Sequence, residues 1–454
     1  MFHKTVCVFV VCLQLTSFAQ TPVPTSFTFP IPLSFLSDPH GFGMTADETG
    51  MHLVYLSGTT IRHALIGANG RVLLDTTIAV NLSGNPRVAV SSTVRNDMEE
   101  LDVVYRNGDS IYVKTSTDGG STWITPVNSV RYARTSTASK RIECKGDGDL
   151  INVTWDTGSD GEVLYERYNH GANPPGWEQY FNVTDESNQT SDSVIVSHGS
   201  YPAIVVSEKS GTKRVHVVYI NERKIDNPDS CTFFSGDSLS FQQIVERSAI
   251  MQSQSLNWEP NDIMSGQREN PCPDSVAKNL HGENKQTYPV VASGNGLLAV
   301  VHSSENFNFI DDSHGSKWMS YHNSEIKTVD YRNAIKSDPV VADGPDPYFS
   351  SVNPTYVSEH SVIFVPATGE FKWFVRMTND SLYITSLSSP FGTKISYAGS
   401  VKTGSQSAHS PLALWRNDGL NKTSGYQYPR TTETDVAYRT NFTSKNKVLE
   451  GASI

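Results

Sequence analysis

The sequence has little cysteine, no basic run and no apolar stretch of spanning length. With 36 Lys and Arg against 47 Asp and Glu, its formal net charge is −11. Long-range attraction to nucleic acid or anionic lipid therefore has the wrong sign, and neither is expected as a partner. No segment after the N-terminus approaches the roughly 20 apolar residues that a spanning helix needs, so no membrane span is expected. No long 3.6-residue periodicity with helix caps occurs, which argues against helical architecture. A nucleophile elbow, a phosphate loop and a His-rich metal motif are all absent. What is present is a turn-rich globular composition: 37% hydrophobic, 18% charged, with 32 Gly and 23 Pro.

The first 19 residues read as a cleaved signal peptide. Lys4 gives a short basic region, Val6 to Leu15 is largely apolar, and Ser17-Phe18-Ala19 places small residues at the cleavage positions. Export removes Cys7 and Cys12 and leaves Cys144, Cys231 and Cys272. An oxidising compartment favours one pair among three. Cys231–Cys272 is the expected disulfide because both lie in one long insertion, and Cys144, in an alternating apolar run, is expected to be a buried free thiol. Sequons stand at Asn81, Asn152, Asn182, Asn188, Asn379, Asn421 and Asn441, and a secreted glycoprotein is the corresponding expectation.

The chain repeats. A polar residue followed by apolar residues and an aromatic recurs as His52-Leu53-Val54-Tyr55, Asp102-Val103-Val104-Tyr105, Asn152-Val153-Thr154-Trp155 and His216-Val217-Val218-Tyr219. Tyr55, Tyr105 and Trp155 are 50 residues apart. Weaker copies end at His302, Val375 and Tyr438. A Pro opening an alternating run precedes most copies, as at Pro39, Pro86, Pro202, Pro289, Pro354 and Pro411, where a first strand residue loses no ladder hydrogen bond. Units of this length with period-two alternation read as four-stranded propeller blades. The expectation is all-β: a single six- to seven-bladed β-propeller over residues 20–454, seven blades favoured, with antiparallel blades. The last blade would be completed by an N-terminal strand within Ser26–Leu33. The fourth unit is stretched, and its excess, at about 225–285, reads as a disulfide-tied loop.

Unit two contains Ser116-Thr117-Asp118-Gly119-Gly120-Ser121-Thr122-Trp123 after a strand. Asp118 can accept turn amides, the glycines permit positive φ, and Trp123 can fold back to bury apolar area. Ser116, Asp118, Gly120 and Trp123 match the Asp box, and the chain resembles the sialidase-like (neuraminidase) superfamily of Asp-box, BNR-repeat propellers. A degenerate copy runs from Asp311 to Trp318. Trp177 and Trp258 hold comparable late positions in units three and four.

The resemblance implies glycan-directed chemistry or glycan binding. Sialidases pair a Tyr nucleophile with a Glu and hold the substrate carboxylate with three Arg, whose guanidinium forks suit a carboxylate. Here the family's Arg-Ile-Pro motif is missing. Arg87, in Arg87-Val88-Ala89, is the nearest counterpart, Arg106 and Asp109 fall ahead of the Asp box, and Arg376 and Arg416 could add guanidinium groups. Tyr165 and Glu166 are adjacent on one strand and so face opposite ways, which prevents them from forming the pair directly. A second resemblance joins Asp38-Pro39-His40-Gly41 and Glu143-Cys144 to segments of invertase-like glycosidases, making Asp38 and Glu143 candidate carboxylates. Calcium at Asn306–His314, through Asp311 and Asp312, is considered and set below a solvated loop, so no cofactor and no metal is expected. The reading is a secreted propeller engaging extracellular glycans or glycoproteins as a non-catalytic binder. The alternative is an exo-glycosidase of the sialidase type.

Overall fold

A computed structural model describes residues 25–29, nearly all of 42–226, and the strands between 238 and 443, with side-chain packing described mainly between 42 and 260. Among the described residues every regular element is a strand, and the strands pair into seven sheets. The first sheet orders Phe42–Ala46, Met51–Ser57, Thr60–Ile66 and Val72–Ala79 side by side. The second uses Val88–Arg95, Met98–Asn107, Ser110–Ser116 and Val130–Tyr132; the third uses Ile142–Asp147, Leu150–Asp156, Val163–Asn169 and Gly176–Asn182. All pairs within these three sheets are antiparallel. Tight turns set the register: Arg95 pairs with Met98 around Asn96 and Asp97, both at positive φ, the two-residue geometry that matches strand twist.

The first strands of successive sheets pack against one another, and that of the seventh sheet, Leu412–Asn417, returns to Phe42–Ala46 of the first. Thr25–Phe29 joins the seventh sheet antiparallel to Val436–Thr443, which brings the two ends of the chain together and covers an edge, as the N-terminal strand was expected to do. The fold is all-β and propeller-like.

The repeat lies where a blade would use it. Tyr55, Tyr105, Trp155 and Tyr219 all sit on second strands and are buried. The last copy, of which Val436–Tyr438 are described, falls instead on the third strand of its sheet, so it is out of phase with the others. Late aromatics close the gap to the preceding sheet. Trp123 packs on the first sheet's core, and Trp258 of the fourth stacks on Phe181 of the third with ring centroids 4.7 Å apart. Pro202 sits inside Val194–Lys209 at a register shift between Ser200 and Ala203, a position that tolerates a missing donor.

Three expectations need correction. The stretch at 225–285 is not simply a loop: Thr212–Asp226 and Ser238–Met251 continue as a paired ribbon of the fourth sheet, and Leu256–Trp258 and Asp262–Ser265 pair onto it. Alternating residues such as Lys224 and Ile225 simply extend the ladder. The degenerate box at Asp311–Trp318 spans a hairpin in which Asp312 pairs with Gly315 and Phe309 with Trp318, between the fifth sheet's long strands, and is not an Asp-box turn. For the same reason Asn306 to Asp312, weighed as a calcium loop, is strand. Cys231 and Cys272 lie outside the described residues.

Candidate functional site

The first strand of the third sheet carries an unusual face. Ile142 and Cys144 enter the core between the second and third sheets, so Arg141, Glu143, Lys145 and Asp147 fall on the other side by alternation. Side chains two residues apart on a strand are spaced by roughly 7 Å, which makes a ladder of alternating charge. Both Arg141 Nε and a terminal guanidinium nitrogen lie 2.7 Å from Glu143 Oε1. Its other terminal nitrogen donates to the carbonyl of Pro289, at the start of the fifth sheet, at 2.8 Å. Arg141 thus reaches past the fourth sheet. Lys213 of that sheet holds Asp147.

Lys145 is solvent-exposed although its strand is bordered by the second strand of its own sheet and by neighbouring first strands. As the edge strand of its sheet, Ile142–Asp147 has one side that is not paired into that sheet. The protein around it lowers the ammonium's pKa by desolvation. Glu143 keeps a side-chain exposure of 32%. Buried Asp156 sets the mouth of this ladder. Its two oxygens accept the backbone N–H groups of Lys140 at 2.7 Å and Arg141 at 2.9 Å. It also takes a backbone hydrogen bond from Tyr201, yet desolvation outweighs these bonds and its pKa is raised.

Arg87 and Arg106 do come together, on Asn85, but as splints. Arg87 donates to Lys140 O at 2.8 Å, to Asn85 Oδ1 at 2.8 Å and to Pro86 O at 3.1 Å. Arg106 donates to the carbonyls of Ser136 and Asn85. Both are buried, tying the lead-in of the second sheet to that of the third. Asp109 is exposed on the tight turn between Asn107 and Ser110, and its carbonyl accepts from Ala133 N. Tyr165 and Glu166 face opposite ways, as expected: Tyr165 donates to Asn152 Oδ1 at 2.6 Å, and Glu166 meets Arg131 at 2.8 Å. Arg376 and Arg416 lie on described strands, Glu370–Met377 and Leu412–Asn417, with side chains outside the description. Asp38 lies outside it altogether.

The Asp-box segment is a turn. Asp118 Oδ1 accepts Thr122 N and Ser116 Oγ at 2.8 Å each, and Oδ2 accepts the Thr122 hydroxyl at 2.7 Å. Gly120 N donates to Ser116 Oγ, and Gly120 O accepts the Thr76 hydroxyl of the first sheet, each at 2.8 Å. Trp123 Nε1 reaches the same hydroxyl at 3.3 Å.

Sequence reasoning missed one position. The residue that opens each strong repeat copy, His52, Asp102, Asn152 or His216, is wholly buried. Each bonds a neighbour on the third strand: His52 to His63 at 2.9 Å, Asp102 to Thr115 at 2.7 Å, Asn152 to Tyr165, and His216 to Glu246 at 2.8 Å. The signal was its recurrence before the apolar pair. Burial of Asn152 also corrects its sequon, since its amide is bonded to Tyr165 and to Lys145 O. Asn81 is exposed, and Asn182 is half-buried with its oxygen accepting from Thr184. Asn188, Asn379 and Asn421 lie outside the described residues, and Asn441 is described only as part of a strand. Cys144 is free and buried, with its thiol pKa pushed up by desolvation. Among the described residues no group of three His, Cys, Asp or Glu side chains is arranged to hold a metal, and no helix is long and apolar enough to cross a membrane.

No protein-family model and no curated protein sequence matches the chain. Solved structures do. The polysaccharide lyase Uly1 aligns with TM-score 0.54 at 9% identity, over 89% of this chain and 90% of its own. The Aleuria aurantia lectin in complex with α-methyl-L-fucoside gives TM-score 0.33 at 12% identity over 84% of this chain and 98% of its own. The Trypanosoma rangeli sialidase gives 0.34 at 12% identity over 83% and 57%. At 9% identity the likeness to Uly1 concerns the fold alone.

Proposed function

We propose that the protein is a secreted seven-bladed propeller that binds extracellular glycans without cleaving them, with the Arg141–Glu143–Lys145 ladder as the contact surface. The observation that carries this reading is the solvent access of Glu143 and Lys145 on a strand otherwise enclosed by sheets. Carboxylate, guanidinium and ammonium groups at strand spacing can donate to and accept from successive sugar hydroxyls. The likeness in fold to a polysaccharide lyase supports sugar as the ligand class. The candidate signal peptide, residues 1–19, supports export. The binder reading gains from Arg87 and Arg106, whose guanidinium groups bond backbone carbonyls and serve the frame.

The test is calorimetric titration with soluble neutral and acidic polysaccharides, beside incubation with a fluorogenic sialoside at pH 4 to 8. Saccharide binding weakened in Lys145→Ala, with no fluorophore released, is the expected result. Release that disappears in Glu143→Gln would establish the exo-glycosidase instead.

A further inference from the structure

Left-handed backbone at non-glycine positions marks a few places among the described residues. Eight described non-glycine residues have positive φ, and five are Asn, Asp or Ser, whose short polar side chains suit it. The others are Arg134, Gln179 and Tyr201, at φ of 55°, 61° and 52°. Tyr201 stands at the mouth described above. The other two frame one side chain, Tyr180, far along the sheets from that mouth's first strands.

Tyr180 is on the outermost strand of the third sheet. Tyr165 pairs with Phe181, and the next pair is Arg167 with Glu178, so Gln179 and Tyr180 together oppose Glu166 alone. This is a β-bulge, which re-aims a side chain. Gln179 in the left-handed region is its hinge, anchored where its side-chain oxygen accepts Leu256 N at 3.3 Å. The bulge turns Tyr180 outward, leaving it 45% exposed. Arg131, from the outermost strand of the second sheet, lies over the ring at 5.7 Å from its centroid. Arg134 stands near enough to the phenol to interact with it electrostatically. An aromatic face bordered by forked donors and acceptors is the chemistry that holds a pyranose, with C–H groups on the ring and hydroxyls on the polar rim.

Charge selects the kind of sugar. Arg131 is paired with Glu166 at 2.8 Å, and Arg134 with Glu162 at 3.0 Å and Asp160 at 3.5 Å. The guanidinium charges are already matched by carboxylates, so an anionic sugar gains nothing here and a neutral one loses nothing.

We infer that Tyr180, flanked by Arg131 and Arg134, forms a rim subsite for a neutral hexopyranose, separate from the Arg141–Glu143–Lys145 ladder. The inference rests on the glycan-binding reading above. It supplies that reading with a second contact between the outer edges of the second and third sheets, so a polysaccharide could engage the protein at two points.

The experiment is calorimetric titration of the full secreted protein with cellohexaose, laminarihexaose, mannohexaose and hexagalacturonate. Wild type, Tyr180→Ala and Tyr180→Phe are compared after circular dichroism shows equal folding. At least one neutral hexaose is expected to bind. Tyr180→Ala should weaken it about tenfold, the scale of one lost stacking contact. Tyr180→Phe keeps the ring and should stay within about twofold. Neutral binding unchanged in Tyr180→Ala, or preference for hexagalacturonate, overturns the rim subsite and leaves the glycan-binding reading standing. Absence of binding to every probe overturns both.

Discussion

A Cβ atom on Gly120 would stand 2.1 Å from Cε1 of His63, so the Asp-box turn of the second sheet closes directly over an imidazole of the first. Gly120 also holds φ +88°, a region that an L side chain avoids. Gly120→Ala therefore meets a steric clash and backbone strain together. It should lower unfolding free energy by on the order of 3 kcal/mol, read from denaturant midpoints. Gly58→Ala also places a side chain at positive φ, but with open space around it, and should cost about 1 kcal/mol.

The same imidazole makes stability depend on acidity. Burial, reinforced by His52, lowers the His63 pKa from 6.5 to about 3. The unfolded chain takes up that proton below about pH 6.5 and the folded chain does not until about pH 3. Stability is thus full above pH 6.5 and falls as pH drops toward 3. Asp47, whose pKa is about 2 beside His52, adds a further loss as pH falls below 3.8 toward 2. Melting temperature followed from pH 7 to 3 should decline, and His63→Gln should flatten the slope while lowering the starting value. An equal slope in the variant would refute the assignment to His63.

Ser207, His216 and Glu246 have the spacing of a hydrolytic triad, with Ser207 Oγ 2.7 Å from His216 Nε2 and His216 Nδ1 2.8 Å from Glu246. All three are buried within the fourth sheet, on the face toward the fifth. His216 opens its repeat copy as His52, Asp102 and Asn152 open theirs. A fluorophosphonate should leave Ser207 unlabelled in the folded protein. Ser207→Ala should cost about 1–2 kcal/mol, and His216→Ala about 3–5 kcal/mol, because it strips a buried carboxylate of its imidazole.

Occupancy of the sequons should follow burial. In protein secreted from a eukaryotic host, peptide mass spectrometry should find Asn152 bare, since a glycan there would break its bonds to Tyr165 and Lys145 O. Exposed Asn81 should carry sugar. A glycan on Asn152 in folded protein would contradict the placement of this strand.

Cys144 should resist a thiol reagent until the chain unfolds. It is buried in the core between the second and third sheets, and burial holds its thiol in the unreactive protonated form. Residue-resolved mass spectrometry after alkylation under native and denaturing conditions reads this directly.

Strand pattern and turn chemistry are local, and they were legible in the sequence. The aromatic ending each repeat at Tyr55, Tyr105, Trp155 and Tyr219 announced second strands, and Ser116 to Trp123 announced a turn with its hydrogen bonds. The N-terminal strand could be anticipated because the last unit was short. What alternation could not say is which partners a polar residue would meet. Arg87 and Arg106 looked like ligands for a carboxylate and proved to bond backbone carbonyls. The stretch after Tyr219 looked like a loop because the unit is too long for one blade and rich in polar residues, yet its described part up to Ser265 continues the fourth sheet's ladder. Asn152 read as a glycan acceptor because a sequon is three residues long and burial is not written in three residues.

The sequence by itself determined the repeat, the all-β class and the local form of each turn, because these depend on period-two alternation and on neighbours a few residues away. Only the tertiary structure decided that Arg141 reaches the Pro289 carbonyl of the fifth sheet while Lys145 stays exposed, and that Tyr180 stands beside two guanidinium groups. Those relationships join residues from different sheets, and the ring of first strands and one bulge on an outer strand bring them together.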